Sequence, residues 1–451
     1  MLKKLIRIFV PKKSRSRQDG PNILKAGEHT IKSRHISSAA SKIVDILEEN
    51  KFQAYVVGGC IRDILLDRHP KDFDVATNAT PEEVKALFRR SRIVGRRFQI
   101  VHVHMGRDIV EVTTFRANHS ASGGRQGVRS DQGMLLRDNV FGDITEDAQR
   151  RDFTVNALYY QPRSNTLYDY ANGLDDIARR QLRIIGDPET RFREDPVRML
   201  RAARFAGKLG FSVEAATAAP IGALAPLLRD IPPARLFDEW LKLFLSGYAL
   251  DTFHVLREFG LFEELFPSID PLLDSDDGFN LRFVEQALGN TDARIRDGKR
   301  VTPAFLLAAL LWPMVVKVTR HYLERGENPA MAVQKAGGQV VAQQIDRIAI
   351  PRRFSMPMRE IWDMQQRLPL RYGRRAEHLV ELPRFRAGYD FILLREQAGE
   401  DLGGLGRWWT LYQEAGDSER LTMVKALDNK SEGDKRRRRR PRRPPAGSGQ
   451  S

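Results

Sequence analysis

The chain has 451 residues, 41% hydrophobic and 29% charged, with a formal net charge of +16 and a single cysteine, Cys60. These values suit a folded protein of two or three domains. They exclude a disulfide framework and a thiolate metal cluster and favour a reducing compartment. No run of sequence approaches the roughly 18 apolar residues that span a bilayer. The charge is concentrated at the ends: "MLKKLIRIFVPKKSRSR" at 1–17 carries seven Lys and Arg and no acid, and "KRRRRRPRR" at 435–443 carries eight more. Dense like charge opposes burial, so both arms are predicted to be disordered and to hold polyanions by counterion release. A solvated solubility tail is the plainer account of the second arm. A transit peptide or a membrane-surface anchor is an alternative for the first, against which stand its shortness and its lack of a cleavage-site pattern.

Residues 1–35 read as a loose basic leader. "ISSAASKIVDILEENKF" predicts a helix with a serine at its start and Ile43, Val44, Ile46 and Leu47 as its apolar stripe. From 54 to about 170 the signals alternate between strand and helix. "AYVV" predicts a strand, "CIRDILL" a helix, "DFDVAT" a strand and "PEEVKALFRR" a helix. The last of these has Thr80 as its cap, Pro81 in its first turn, and Glu82 and Glu83 at the positive end of the dipole. "RIVG", "IVHVHM" and "IVEVTTF" predict three more strands. The Gly-, Ser- and Arg-rich stretch "ANHSASGGRQGVRSDQG" predicts a long mobile loop, and "RRDFTVNAL" a helix capped by Asp152. Helical patterns dominate from about 177, and low complexity begins near Asn429. The predicted architecture is an α/β head with a mixed β-sheet and flanking helices, then an all-α body between two basic arms. Its boundaries fall at 1–35, 36–175, 176–275, 276–428 and 429–451.

The stretch at 56–75, "VVGGCIRDILLDRHPKDFDV", holds the densest chemistry. On a strand Asp72 and Asp74 would share a face, with Phe73 turned outward between them. Two adjacent carboxylates repel unless a cation lies between them, and hard oxygen ligands suit Mg²⁺, which keeps room for water and phosphate. Gly58 and Gly59 fall where a strand turns into a helix, which lets backbone N–H groups face an anion. Either feature alone is weak: Asp-x-Asp is a common strand end, and a glycine pair is often a plain turn. Together within one strand–turn–helix–strand unit they read as a triphosphate site. Glu111 lies on "DIVEVTTF" with Val110 and Val112 on the other face, so a strand pairing with "DFDVAT" would bring it beside the aspartates. His102 and His104 alternate on a strand with no third ligand near and read as half-exposed strand residues. No Walker loop or nucleophile elbow is present.

"VGGCIRDILLDRHPKDFDVATNATPEEV" resembles the signature of the nucleotidyltransferase superfamily that includes bacterial poly(A) polymerases and tRNA CCA-adding enzymes. The likeness continues through "DNVFGDITEDAQRRDFTVNALYY" and "REDPVRMLRAARFAGKLGF" and, more weakly, over most of the helical body. Cys60 departs from the family's usual Gly or Ala and reads as a small residue in a crowded helix start. The resemblance implies a catalytic head at 36–175, a neck with base- and RNA-binding elements at 176–275 and an RNA-binding region at 276–428. It makes Asp72 and Asp74 the metal-binding catalytic acids. Asp152 becomes a third acid or general base, though an N-cap explains it as well, and Glu111 stands as its rival. The implied nucleotide contacts are Gly58, Gly59, Arg62, Arg151, Asn156, Asp195 and Arg198. Asp195 and Arg198, with Glu194, would read the incoming base by hydrogen bonds, unless they are only a helix cap and an intrahelical ion pair.

The implied activity is template-independent addition of AMP from ATP to RNA 3′ ends with release of pyrophosphate, serving mRNA processing and decay. Its cofactor is Mg²⁺ in a two-metal arrangement, with Mn²⁺ as a substitute. Single-stranded RNA and ATP are the expected partners, with no DNA, no stable membrane insertion and a cytoplasmic location. Lys435, Arg436, Arg437, Arg438, Arg439, Arg440, Arg442 and Arg443 are the expected RNA-phosphate contacts. The chain's length, its Arg-rich tail and the detail of its second block favour a poly(A) polymerase. A CCA-adding enzyme and a catalytically silent RNA binder on the same scaffold are the alternatives.

Overall fold

The structure, a computed structural model, describes residues 20–95, 99–117 and 140–438. The loop expected at 118–139, most of the N-terminal arm and Arg439, Arg440, Arg442 and Arg443 lie outside the described residues. Two compact units are present, one of residues 1–231 with 251–261 and one of 232–250 with 262–451.

The first unit is built on an eight-stranded sheet. In chain order its elements are β1 (Asn22–Leu24), α1 (Ser38–Glu49), β2 (Ala54–Val57), α2 (Gly59–Leu65), β3 (Asp74–Thr77) and α3 (Pro81–Leu87). Then come β4 (Ser91–Val94), β5 (Ile100–Met105), β6 (Asp108–Thr114), α4 (Ile144–Arg150), β7 (Leu158–Gln161) and β8 (Thr166–Asp169). Helices α5 (Gly173–Arg179), α6 (Pro188–Glu194) and α7 (Val197–Leu209) follow. Across the sheet the strand order is β1-β8-β7-β2-β3-β6-β5-β4. Only the β3–β6 pair is parallel in this sheet, which leaves the head mixed, as expected.

Local chemistry sets these elements. The Ser37 hydroxyl accepts from Ala40 N at 3.1 Å and opens α1. Thr80 and Glu83 cap α3 reciprocally, with Pro81 in its first turn. On one face of the sheet Val75, Val101, Val103, Val110 and Val112 are buried, with α1 and α3 packed against the strands.

Three expectations are corrected. Residues 22–24, placed in the leader by composition, form β1 and pair antiparallel with β8. "DFDVAT" is a strand only from Asp74, where pairing with both β2 and β6 begins, so Asp72 and Phe73 precede the ladder. "RRDFTVNAL" is not a helix capped by Asp152: a single 3₁₀ turn at Thr154–Asn156 leads straight into β7.

The second unit is helical. Its apolar helix Pro303–Glu324 packs against Phe279–Arg296, Pro329–Ile345 and Arg352–Arg367. Contrary to the expectation that no run approaches a bilayer span, this helix is long and apolar enough to cross one, but 61% of its apolar window is buried. Trp362 Nε1 donates to Ala308 O at 3.1 Å and ties two of these helices. A further core gathers Met364, Leu368, Phe385, Tyr389 and Trp409. The last helix, Asp417–Arg438, carries helical backbone past Asn429 and through Lys435, Arg436, Arg437 and Arg438, into the stretch assigned to a disordered tail.

Candidate active site

Gly58 carries φ +86 between β2 and α2, a conformation that side chains avoid. A Cβ there would lie 3.5 Å from Arg151 Nη1, 3.8 Å from Asn156 O and 4.0 Å from Asp74 Oδ2. The glycine thus makes the turn and also lets a cation, a carbonyl and a carboxylate converge on it. The next glycine, Gly59, faces the Arg62 guanidinium, whose Nη2 lies 3.4 Å from its would-be Cβ.

Asp74 opens β3, and β6 runs parallel beside it with Glu111 at the register position of Asp74. Asp72, two residues earlier, is exposed. The Asp74 carboxyl is pushed up to about 6, first by burial and then by the charge of Glu111, with Asp72 adding to it and Arg151 opposing. Such a carboxylate is short of positive charge. Among the described residues no three His, Cys, Asp or Glu side chains form a complete ligand set. An Asp pair of hard oxygens beside an electron-rich carboxylate nevertheless fits Mg²⁺, which binds through one or two carboxylates and takes water and substrate phosphate for the rest. Glu111 Oε1 lies 3.5 Å from His102 Nε2 on the neighbouring strand.

Arg151 is held by a buried hub that local spacing did not reveal. Its Nε donates to Tyr159 Oη at 2.8 Å, and its Nη2 donates to Asp147 Oδ2 at 3.1 Å. Tyr159 in turn donates to Asp147 at 2.5 Å. Burial opposes the guanidinium charge, but the Tyr159 and Asp147 oxygens outweigh it, and its proton is held more tightly than in water. The one local signal was the i, i+4 spacing of Asp147 and Arg151.

Arg62 and Asn156, expected among the nucleotide contacts, occupy different positions. Arg62 is 2% exposed; its Nε and Nη2 donate to Asp63 Oδ1 at 2.9 and 2.6 Å, and its Nη1 to Asn156 Oδ1 at 2.5 Å. Asn156 donates to Asp152 Oδ1 at 3.0 Å. These bonds join α2, which starts at the Gly58 turn, to the 3₁₀ turn at Thr154–Asn156.

Asp152 accepts from Arg201 Nε at 2.8 Å, from Arg201 Nη2 and from Phe153 N. Burial alone would raise its carboxyl, and Arg201 with these donors drives it well below the usual range instead. Nearby, Arg191 Nη2 donates to the Arg150 and Arg151 carbonyls at 2.7 and 2.8 Å. Glu194 accepts from both Arg191 at 2.8 Å and Arg198 at 3.1 Å. Arg150 and Arg191 are each pushed down to about 10, by burial first and then by neighbouring guanidiniums. That crowding of cations suits an anion. The Glu194–Arg198 pair bridges α6 and α7 instead of lying within one helix. Asp195 is extended between them, and its carbonyl accepts from Arg198 N at 2.9 Å.

A mixed sheet with flanking helices, with Asp74 at the start of β3 and Glu111 beside it within β6, followed by a helical body, is the fold class of the CCA-adding enzymes. The fold matches that of a Thermotoga maritima CCA-adding enzyme solved with tRNA, at TM-score 0.55 and 18% identity over 84% of each chain. Family models match at 54–183 (poly A polymerase head domain), 210–273 (probable RNA and SrmB-binding site of polymerase A) and 325–444 (polymerase A arginine-rich C-terminus). Poly(A) polymerase I of Haemophilus influenzae is 46% identical over 437 residues, 96% of this chain and 97% of that one. The CCA-adding enzyme of Lactobacillus helveticus is 38% identical over 226 residues, 50% of this chain and 54% of its own. The chain belongs to the bacterial poly(A) polymerase I family.

Proposed function

We propose that the chain is a template-independent polynucleotide adenylyltransferase that transfers AMP from ATP to the 3′ hydroxyl of single-stranded RNA and releases pyrophosphate. The observation that carries this reading is the convergence of Asp74 and Arg151 on the Gly58 turn, with Glu111 at the register position of Asp74 on the next strand. Full-length likeness to a poly(A) polymerase I, against half-length likeness to a CCA-adding enzyme, favours AMP over CCA as the product.

Asp72 and Asp74 are the residues that would hold Mg²⁺, or Mn²⁺ in its place. Such ions, paired as in two-metal sites, supply Lewis acidity at the triphosphate and lower the pKa of the attacking hydroxyl. Arg151, fixed by Tyr159 and Asp147, orients the triphosphate over Gly58 and Gly59, and the crowded Arg150 and Arg191 add positive potential. The RNA 3′ oxygen bonds to the α-phosphorus as the bond to the pyrophosphate oxygen breaks; the hydroxyl proton passes to Glu111 and then to solvent. Glu111 serves as the third carboxylate because the oxygens of Asp152 are taken by Arg201, Asn156 and Phe153 N. Arg198 and Asp195 contact the adenine edge. Residues 36–175 carry catalysis, 176–275 base choice, and 276–428 with the basic tail from Lys435 to Arg443 the RNA body, in the cytoplasm.

Incubating the purified chain with a short RNA, Mg²⁺ and each nucleoside triphosphate in turn tests this. Long tails from ATP alone are expected. C and A added only to trimmed tRNA would establish a CCA-adding enzyme, and no extension at all a silent binder.

A further inference from the structure

Sheet register places one row of polar and charged side chains across four strands. Asp74 on β3 lies opposite Glu111 on β6, Glu111 opposite His102 on β5, and His102 opposite Arg92 on β4. Residues directly opposite one another share a face. The other face of these strands is the buried valine face, so the row lies on the open one. There Glu111, His104 and Arg92 are exposed, His102 is half-buried, and Ile109 remains 52% exposed. Moving outward from Asp74, the row runs from acid through histidine to arginine. No ion pair is formed by Arg92 among the described residues, and the adjacent Arg89 and Arg90 are exposed as well.

The two flanks of Asp74 therefore differ. On the Gly58 side stands Arg151, a cation within reach of the phosphates that react. On the other side the register brings His102, a hydrogen-bonding imidazole, two strands away and the cation Arg92 three strands away. At a strand spacing of ~4.8 Å these lie ~10 and ~14 Å from Asp74. That is too far for the reacting triphosphate. It matches phosphodiesters of a strand whose 3′ end sits at Glu111, with Ile109 as a flat apolar patch for sugar or base. We propose that the open face of β6, β5 and β4 seats the 3′-terminal nucleotides of the RNA primer, with His102 and Arg92 contacting their phosphates. The proposal rests on the adenylyltransferase reading and names the path by which its RNA leaves the site.

The test uses the full chain, an oligoadenylate primer and ATP. Arg92→Ala is expected to raise primer KM about 5–10-fold, and Arg92→Glu more, with ATP KM unmoved. The slope of log affinity for the oligonucleotide against log salt should shrink by about 0.7, because one phosphate is no longer neutralised. Lys85→Ala, on α3 over the opposite face, should change neither. Primer KM and salt slope equal to wild type in both Arg92 variants, with thermal midpoints intact, would overturn the proposal; so would an ATP KM that rises in parallel with primer KM. If the wild-type chain does not extend RNA, the activity reading falls by itself. Equilibrium binding of a fluorescent oligoadenylate then decides the surface: weaker binding by Arg92→Glu supports it, and equal binding overturns it.

Discussion

The start of β3 and the turn after α4 each present an aspartate, Asp74 and Asp152, in surroundings of opposite character. Asp74 has carboxylates for neighbours and is pushed up to about 6 by burial, Glu111 and Asp72. Asp152 is as firmly enclosed, yet Arg201, Asn156 and Phe153 N satisfy its oxygens and drive it the other way. Both residue types suit an active-site acid, and only the company they keep separates them. A site built to receive cations leaves its acids short of them, whereas a structural ion pair is complete before any ligand arrives.

The contrast is broken most forcefully at β3. Asp74→Ala or Asp72→Ala should lower extension by at least ~10³-fold, the scale of lost charge stabilisation in metal-assisted phosphoryl transfer. RNA affinity, measured by filter binding, should stay within about twofold. Activity within tenfold of wild type would remove the metal assignment. At the other acid the effect should appear as stability. Arg201→Ala leaves a buried carboxylate without its partner and should cost about 2–4 kcal/mol in urea unfolding, with much of the loss recovered when Asp152→Asn is added. Because the Asp152 carboxyl is depressed, the pair's contribution is present above the unfolded carboxylate range near 4 and fades only as pH falls further. Loss of stability that persists unchanged in the double variant would show the pair to be incidental.

Asp74 predicts the reverse sign. Its raised carboxyl makes ionisation a cost to the metal-free fold, and the cost grows as pH rises from about 4 through about 6. Metal-free Asp74→Asn should therefore be more stable than wild type by about 1–3 kcal/mol at pH 8 and no more stable at pH 4, by thermal denaturation. For the same reason the affinity of the native site for Mn²⁺ should fall as pH drops below about 6. A pH-independent difference would mean that neither burial nor the neighbouring acids raise the Asp74 carboxyl. The smallest effect belongs to base choice: Arg198→Ala should narrow the preference for ATP over the other triphosphates by about tenfold in kcat/KM, on the scale of one or two hydrogen bonds. Unaltered preference would leave Arg198 as a link between α6 and α7.

Much of the first unit was legible because its signals are local. The Thr80-Pro-Glu-Glu start of α3 and the Gly58-Gly59 break carry their geometry within a few residues. What stayed hidden depends on distant partners. β1 has only its pairing with β8 to order it, so a basic leader masked it. β7 and β8 were obscured by reading "RRDFTVNAL" as helix, although "PRSN" between two aromatic runs is a turn signal, and Asn165 there adopts φ +49. In the site, the nearness of Asp74 to the Gly58 turn and of Glu111 to Asp74 was legible in the strand pattern, whereas Asp72 falls outside the strand that spacing assigned it. Arg201 on Asp152, and Tyr159 with Asp147 around Arg151, meet across 49, 8 and 4 residues, and no spacing rule distinguishes the longest of these from chance. The bond of Arg62 to Asn156 likewise joins residues 94 apart in sequence, which no motif spacing shows.

The buried helix Pro303–Glu324 bears on how the protein is made. As the nascent chain lengthens, this bilayer-compatible segment leaves the ribosome before Pro329–Ile345 and Arg352–Arg367, two of the helices that enclose it, have been synthesised. Until Arg367 emerges it is an exposed greasy stretch, open to targeting factors and chaperones that recognise such sequences.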